Sequence, residues 1–171
     1  DLVLMLAASA GADPRDPLSG VFGPTAPRLG RLRIAWARSV AGLPVDPDCA
    51  AAAESLALLF QSAGHHVEEA WPDIRDPGPA HDHLGAVEEY RARGALLASH
   101  PDLLAPETCA MMLAGQAATA DDIAAARAVS VETTSRMRDF MAGRDIFILP
   151  ATACPAFPLR QPPIMIGGRT V

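Results

Sequence analysis

The chain has 171 residues, enough for one domain with a substantial core. Half are hydrophobic, only 5% are aromatic and mean hydropathy is +0.16, a balance that suits alanine- and leucine-rich helices over a sheet better than an aromatic-rich β-sandwich. Formal charge is −6, with 14 scattered arginines, no lysine and 20 acidic residues, so no basic face can follow a phosphate backbone and nucleic acid is not an expected partner.

Asp1 to Ala10 is apolar and helix-forming, with Gly11 placed as its C′ residue. Pro14 and Pro17 then forbid helix, and the five Gly and Pro within 18–30 read as an irregular connection. Arg31 to Ala37 alternates, with Leu32, Ile34 and Trp36 on one side, which predicts a strand with one apolar face. Asp46-Pro47-Asp48 predicts a helix start, with Asp46 as N-cap and Pro47 at the first helical position. Cys49, Ala52, Ala53, Leu56, Leu59, Phe60 and Ala63 form the apolar stripe expected behind it, and Gly64 ends the helix. His65 to Trp71 predicts a second strand, making residues 31–71 a βαβ unit with parallel strands.

Past the Pro72–Pro79 turn, residues 80–143 read as helical. One helix is expected over Ala80–Ser99, with Leu84, Val87, Tyr90, Arg91, Gly94 and Leu97 along one side and His100-Pro101 as its break. A shorter helix opens at Pro106-Glu107 with Cys109, Met112 and Leu113. Thr119 to Asp122 resembles a capping box, followed by Ile123, Ala126, Ser130, Thr133, Met137 and Phe140 at helical spacing, and Gly143 closes that helix. Asp145-Ile146-Phe147-Ile148-Leu149-Pro150 is a short apolar run stopped by proline, the pattern of a buried strand in a parallel sheet. A Pro-rich loop then runs to about residue 163, so that strand and loop occupy 145–163. The chain starts inside a regular element without a methionine and closes on Gly167-Gly168-Arg169-Thr170-Val171 without a terminal signal, so both ends read as cut. No apolar run reaches the roughly 20 residues that span a bilayer, and no leader pattern opens the chain; a membrane is not an expected partner. Cys49, Cys109 and Cys154 form no CxxC pair, and an odd count without a secretory signal fits a reducing cytoplasm.

A strand ending in Pro150-Ala151-Thr152 resembles the second half of the amidase signature family, whose members hydrolyse amide bonds. Gly11-Ala12-Asp13-Pro14-Arg15-Asp16-Pro17 is similar to the turn that follows the catalytic segment in that family. Arg31–Trp36, Val45–Asp48 and Gly64–Glu69 are similar to its βαβ insertion, and His100–Leu104, Gly115 and Ala120–Asp122 to its long helices. The order of these pieces is more specific than any one of them. The resemblance implies a partial amidase-signature fold, α/β, with helices over a mostly parallel or mixed sheet, and the chain as a single partial domain. The family's Ser–cis-Ser–Lys triad lies on a Gly/Ser-rich segment, and this chain holds no Ser-Ser pair and no lysine, so no catalytic residue maps onto it. The Glu-Ala-Ser-Ser-Asn run of the tRNA amidotransferase subunit is also absent.

The resemblance assigns Thr152 to Phe157 to one wall of the acyl pocket, making Thr152, Cys154 and Phe157 the candidate substrate-binding residues. From the residues alone Thr152 is either a ligand contact past a strand end or a turn cap, and Cys154 either a contact or a buried thiol. His81-Asp82-His83 is the only metal-like cluster, read as an exposed helix start against a zinc pair lacking its third ligand. No metal and no cofactor are expected. The parent enzyme implied would cleave a small-molecule carboxamide by serine acyl transfer, this chain supplying scaffold and pocket wall, with a homo-oligomer possible. The rival expectation is a standalone, non-catalytic α/β binding or interaction domain.

Overall fold

A computed structural model describes residues 1–17, 19–20 and 30–171. Most of the expected 18–30 connection therefore lies outside the described residues. The chain falls into two compact units, Asp1–Gly30 and Arg31–Val171. In the first, helix α1 (Leu2–Ser9) ends at Ala10, whose backbone is extended, and Gly11 follows at φ +145°. Leu2, Val3, Leu4, Met5 and Leu6 are 65–82% exposed, so α1 buries no large side chain. In the turn behind it, Arg15 donates to both carboxylate oxygens of Asp13 (Nη2 to Oδ2, 2.7 Å), which holds that carboxyl below its ordinary value.

The second unit is built on a three-stranded parallel sheet, β2–β1–β3, from β1 (Arg33–Trp36), β2 (His66–Glu69) and β3 (Ile146–Ile148). Ile34 lies opposite Val67 on one side and Ile146 on the other. Helix α2 (Pro47–Ser62) joins β1 to β2, the βαβ unit expected, and Asp46 caps it by accepting from the Asp48 N–H at 2.9 Å. Under α2 lies a core of Ile34, Trp36, Ala53, Ala57 and Ile148, with Leu32, Phe60, Val67 and Ile146 packed against it.

Two expectations are corrected here. The apolar face of Leu32, Ile34 and Trp36 forms as expected, but the opposite face of β1 is covered as well: Ala35 and Ala37 are 0% exposed. A central strand of a parallel sheet is covered on both sides. Over Ala35, Phe147 packs on Phe140 with ring centroids 5.0 Å apart, while Arg144 stacks on Phe140 and donates to Glu68 at 2.8 Å. The stripe of α2 is also rotated in part, with Ala53 and Phe60 on the core as expected. Ala50, Ala53 and Ala57 face inward, and Leu56 and Leu59 stand 43% and 64% exposed. Alanines at i, i+3 and i+7 let the helix axis approach the sheet, which larger side chains would prevent.

The helical layer comprises α3 (Gly78–Arg93), α4 (Ala95–Ser99), a 3₁₀ turn (Pro101–Leu103), α5 (Pro106–Ala117) and α6 (Ala120–Met141). The single helix expected over 80–99 is thus divided at Gly94, where a Cβ would lie 2.5 Å from the Tyr90 carbonyl oxygen. α3 packs on α5 and α6 through Ala86, Val87, Met112 and Ala126, all buried. The Thr119–Asp122 capping box forms as expected. Beyond β3 the chain closes in a hairpin, β4 (Met165–Ile166) and β5 (Arg169–Thr170), turned by Gly167 and Gly168 at φ +54° and +79°. Two successive residues at positive φ make the turn whose twist matches a hairpin, and only glycine adopts both without strain.

Candidate functional site

All three strands are parallel, so their C-terminal ends share one edge and the loops leaving them face one another. From β1 the chain crosses to β2 on one side, while β3 lies on the other; the gap between β1 and β3 is where an open α/β sheet places ligands. That gap holds a crevice of about 130 Å³, walled by the loop after β1 (Ser39 to Val45) and by Leu149 to Ala153. A shallower cleft of about 280 Å³ lies against α2, lined by Cys49, Ala53, Leu56 and Pro150 to Thr152. Thr152 lines both.

Local chemistry fixes these loops. After β1, Ala41 (φ +53°) and Gly42 (φ +67°) form a tight turn closed by the Leu43 N–H on the Val40 carbonyl at 3.1 Å. Arg169 of the terminal hairpin donates to the Gly42 carbonyl at 2.6 Å, and Gly167 approaches Val45 so closely that a Cβ would lie 2.6 Å from its carbonyl oxygen. On the opposite wall, the Asp46 N–H donates to the Ala153 carbonyl at 2.8 Å, tying the loop after β3 to the start of α2.

Thr152 is exposed and donates its hydroxyl to the Cys154 carbonyl at 3.0 Å, so it caps its turn and also faces the cleft, where the Cys49 Sγ lies 4.0 Å away. Cys154 is half-buried and Phe157 is 50% exposed; both lie further along the loop, and neither lines the crevice or the cleft. Neither the Thr152 hydroxyl nor the Cys49 thiol meets a basic side chain among the described residues. These walls can bind and orient a ligand; a nucleophile here would need a base brought to it from elsewhere. The residues that sequence reasoning missed are Ser39 to Val45. Their signal is positional: they follow the C-terminal end of a predicted strand, the side on which such sheets bind. His81 and Asp82 are exposed at the start of α3, and His83 is half-buried with its Nε2 unpartnered. Among the described residues no group of three or more His, Cys, Asp or Glu is placed to hold a metal ion, and no helix is long and apolar enough to cross a membrane.

The class is therefore an α/β protein with an open crevice at the carboxyl edge of a parallel sheet. Solved structures make it more specific. A bacterial aryl acylamidase of the amidase signature family matches at TM-score 0.77 and 19% identity, over 94% of this chain and 37% of that one. An amidase matches at TM-score 0.70 and 20% identity, over 82% and 33%. A 6-aminohexanoate cyclic dimer hydrolase in complex with its substrate matches at TM-score 0.60 and 25% identity, over 84% and 33%. No family model matches the chain, and no curated protein does. The chain has, in part, the fold of the amidase signature enzymes, and it spans about a third of the length of these structures.

Proposed function

We propose that this chain forms the scaffold and one pocket wall of a hydrolase that cleaves carboxamide C–N bonds by acyl transfer to a serine. The observation that carries this reading is the Pro150–Thr152 turn at the carboxyl end of β3, opening on the β1/β3 crevice within a fold shared with amide hydrolases. Thr152 would line the acyl side of a small-molecule amide, while Cys154 and Phe157, further along the loop, would reach it only with the rest of the enzyme in place. The nucleophilic serine, its cis-serine partner and the lysine would come from polypeptide beyond these 171 residues, which contain no lysine and no adjacent serines. The resemblance calls for neither metal nor cofactor, and the working compartment would be the cytoplasm. A second reading, a binding domain that acts alone, draws support from the self-contained core of Ile34, Trp36 and Ile148 in the second unit.

Two measurements separate the readings. The coding sequence upstream of Asp1 is expected to encode, in frame, a lysine and a Gly/Ser-rich stretch with paired serines. The 171-residue chain is expected to release no aniline from an acetanilide above the uncatalysed rate, and the longer product to do so until its serine is replaced by alanine. Hydrolysis by the short chain, or a start codon directly at its beginning, would sink the proposal.

A further inference from the structure

A second, larger apolar cavity opens beside the crevice at Thr152. It measures about 480 Å³ and shares with that crevice only Val40 and Leu43. Its remaining walls are Ile74 and Asp76 from the loop after β2, His81 and Leu84 from α3, and Ser130 and Thr133 from α6. A cavity of a few hundred Å³ with an apolar floor and a few polar groups is of small-molecule size and character.

Its walls are fastened from outside. Arg75 donates to Glu132 at 2.9 Å, and Arg136 donates to Glu132 at 3.0 Å and to Asp73 at 2.7 Å. These pairs bracket Ile74 on the loop and Thr133 on the helix, holding both against the cavity, and they occupy Arg75 and Arg136. Asp76 is then the one carboxylate in the lining, faced by no lysine or arginine there. The positive end of α3 offers an anion little. Of its first amides, the Gly78 N–H already bonds Asp76 Oδ1 at 2.8 Å, Pro79 has no N–H, and the His81 N–H bonds the Pro77 carbonyl at 2.9 Å, which leaves the Ala80 N–H at the cavity wall. Asp76 is exposed at the mouth of the cavity and keeps its Oδ2 for a ligand.

We propose that this cavity binds a small primary amine with an apolar body, the body on Val40, Leu43, Ile74 and Leu84 and the ammonium on the Asp76 carboxylate. The site does not depend on the amide-hydrolase reading, and it stands or falls separately from it. An anion of the same shape is disfavoured because it would face the Asp76 carboxylate with only the Ala80 N–H and the His81 ring to receive it.

The test is a titration of the 171-residue chain with 2-phenylethylamine, followed by methyl NMR, with 3-phenylpropanoate and 2-phenylethanol as matched probes. The expected result is saturable shifts at Ile74 and Leu84 with the amine, at least tenfold weaker binding of the alcohol, and none with the acid. Asp76→Asn keeps the shape of the side chain and is expected to weaken the amine at least tenfold. Should that variant unfold through its Gly78 bond, Thr133→Leu tests the same cavity from the α6 wall by filling it, and loss of binding is expected. The proposal is overturned if the acid binds as well as the amine, if both variants bind normally, or if the shifts fall on Val45 and Leu149 instead.

Discussion

Gly115 of α5 lies so close to α3 that a Cβ there would sit 2.0 Å from the Ala86 carbonyl oxygen. The obstacle is backbone, which cannot swing aside as a side chain tip could. Gly115→Ala is therefore expected to push α3 and α5 apart and destabilise by about 1–3 kcal/mol or more, as overpacking does. Met112, one helical turn earlier on the same face, is 1% exposed, and Met112→Ala should cost about 2–5 kcal/mol through lost burial and a cavity. Urea denaturation of each variant checks both figures, and an unchanged midpoint for Gly115→Ala would mean the helices do not approach this closely. At this scale the sequence is a partial guide. Met112 stands in a recognisable stripe, whereas the tightness at Gly115 depends on Ala86, 29 positions away. Thr152 could be singled out because it follows a strand directly. Its neighbours Cys49 and Val40 could not, since only the folded sheet brings them to the same edge.

Helix α6 is set at its start by reciprocal bonds: the Asp122 N–H donates to Thr119 Oγ1 at 3.2 Å, and Asp122 Oδ2 accepts from the Thr119 N–H at 3.0 Å and its hydroxyl at 2.6 Å. The Thr119 hydroxyl and amide together hold the Asp122 carboxyl below its ordinary value of 3.8. A carboxyl lowered by folding adds stability that is present above its unfolded pKa and is lost as pH falls through the folded one. Thr119→Val removes the hydroxyl, so the wild-type advantage over this variant is expected to persist at neutral pH and shrink below pH 3.8. Melts at both pH values check it, and a gap that stays constant on acidification would show that Asp122 is not the linked group. The Asp46 cap of α2 is expected to be worth about 1 kcal/mol on replacement by alanine. Caps of this kind were legible because donor and acceptor lie within three or four residues. The facing side of α2 was not: hydrophobicity favoured Leu56 and Leu59, but closeness to the sheet favoured Ala50, Ala53 and Ala57. The Gly167-Gly168 hairpin is legible as well, since two adjacent glycines between Ile164-Met165-Ile166 and Arg169-Thr170-Val171 signal such a turn.

Across the whole molecule, the large apolar side chains are divided between a small core and a wide exposed surface. Leu58 and Leu59 on the outer side of α2 are 58% and 64% exposed, Leu159 and Ile164 before the hairpin are 87% and 76% exposed, and α1 is bare along its length. Large apolar side chains exposed in such number call for a partner or ligand to cover them. A chain that serves as the scaffold of a larger enzyme has a use for such a surface, whereas a domain acting alone pays in solubility. The 171-residue chain is therefore expected to bind an apolar dye such as ANS while keeping a cooperative melt, and to self-associate as concentration rises. The double variant Leu58→Glu/Leu59→Glu should cut dye binding and shift self-association to higher concentration. Its stability should change only slightly, within about 0.5 kcal/mol per substitution, because neither side chain belongs to the core. A large loss of stability would place those leucines inside the packing and contradict the orientation of α2. A dye-silent, monodisperse wild-type chain would favour the binding domain over the scaffold, since its apolar surface would then be covered without any additional polypeptide.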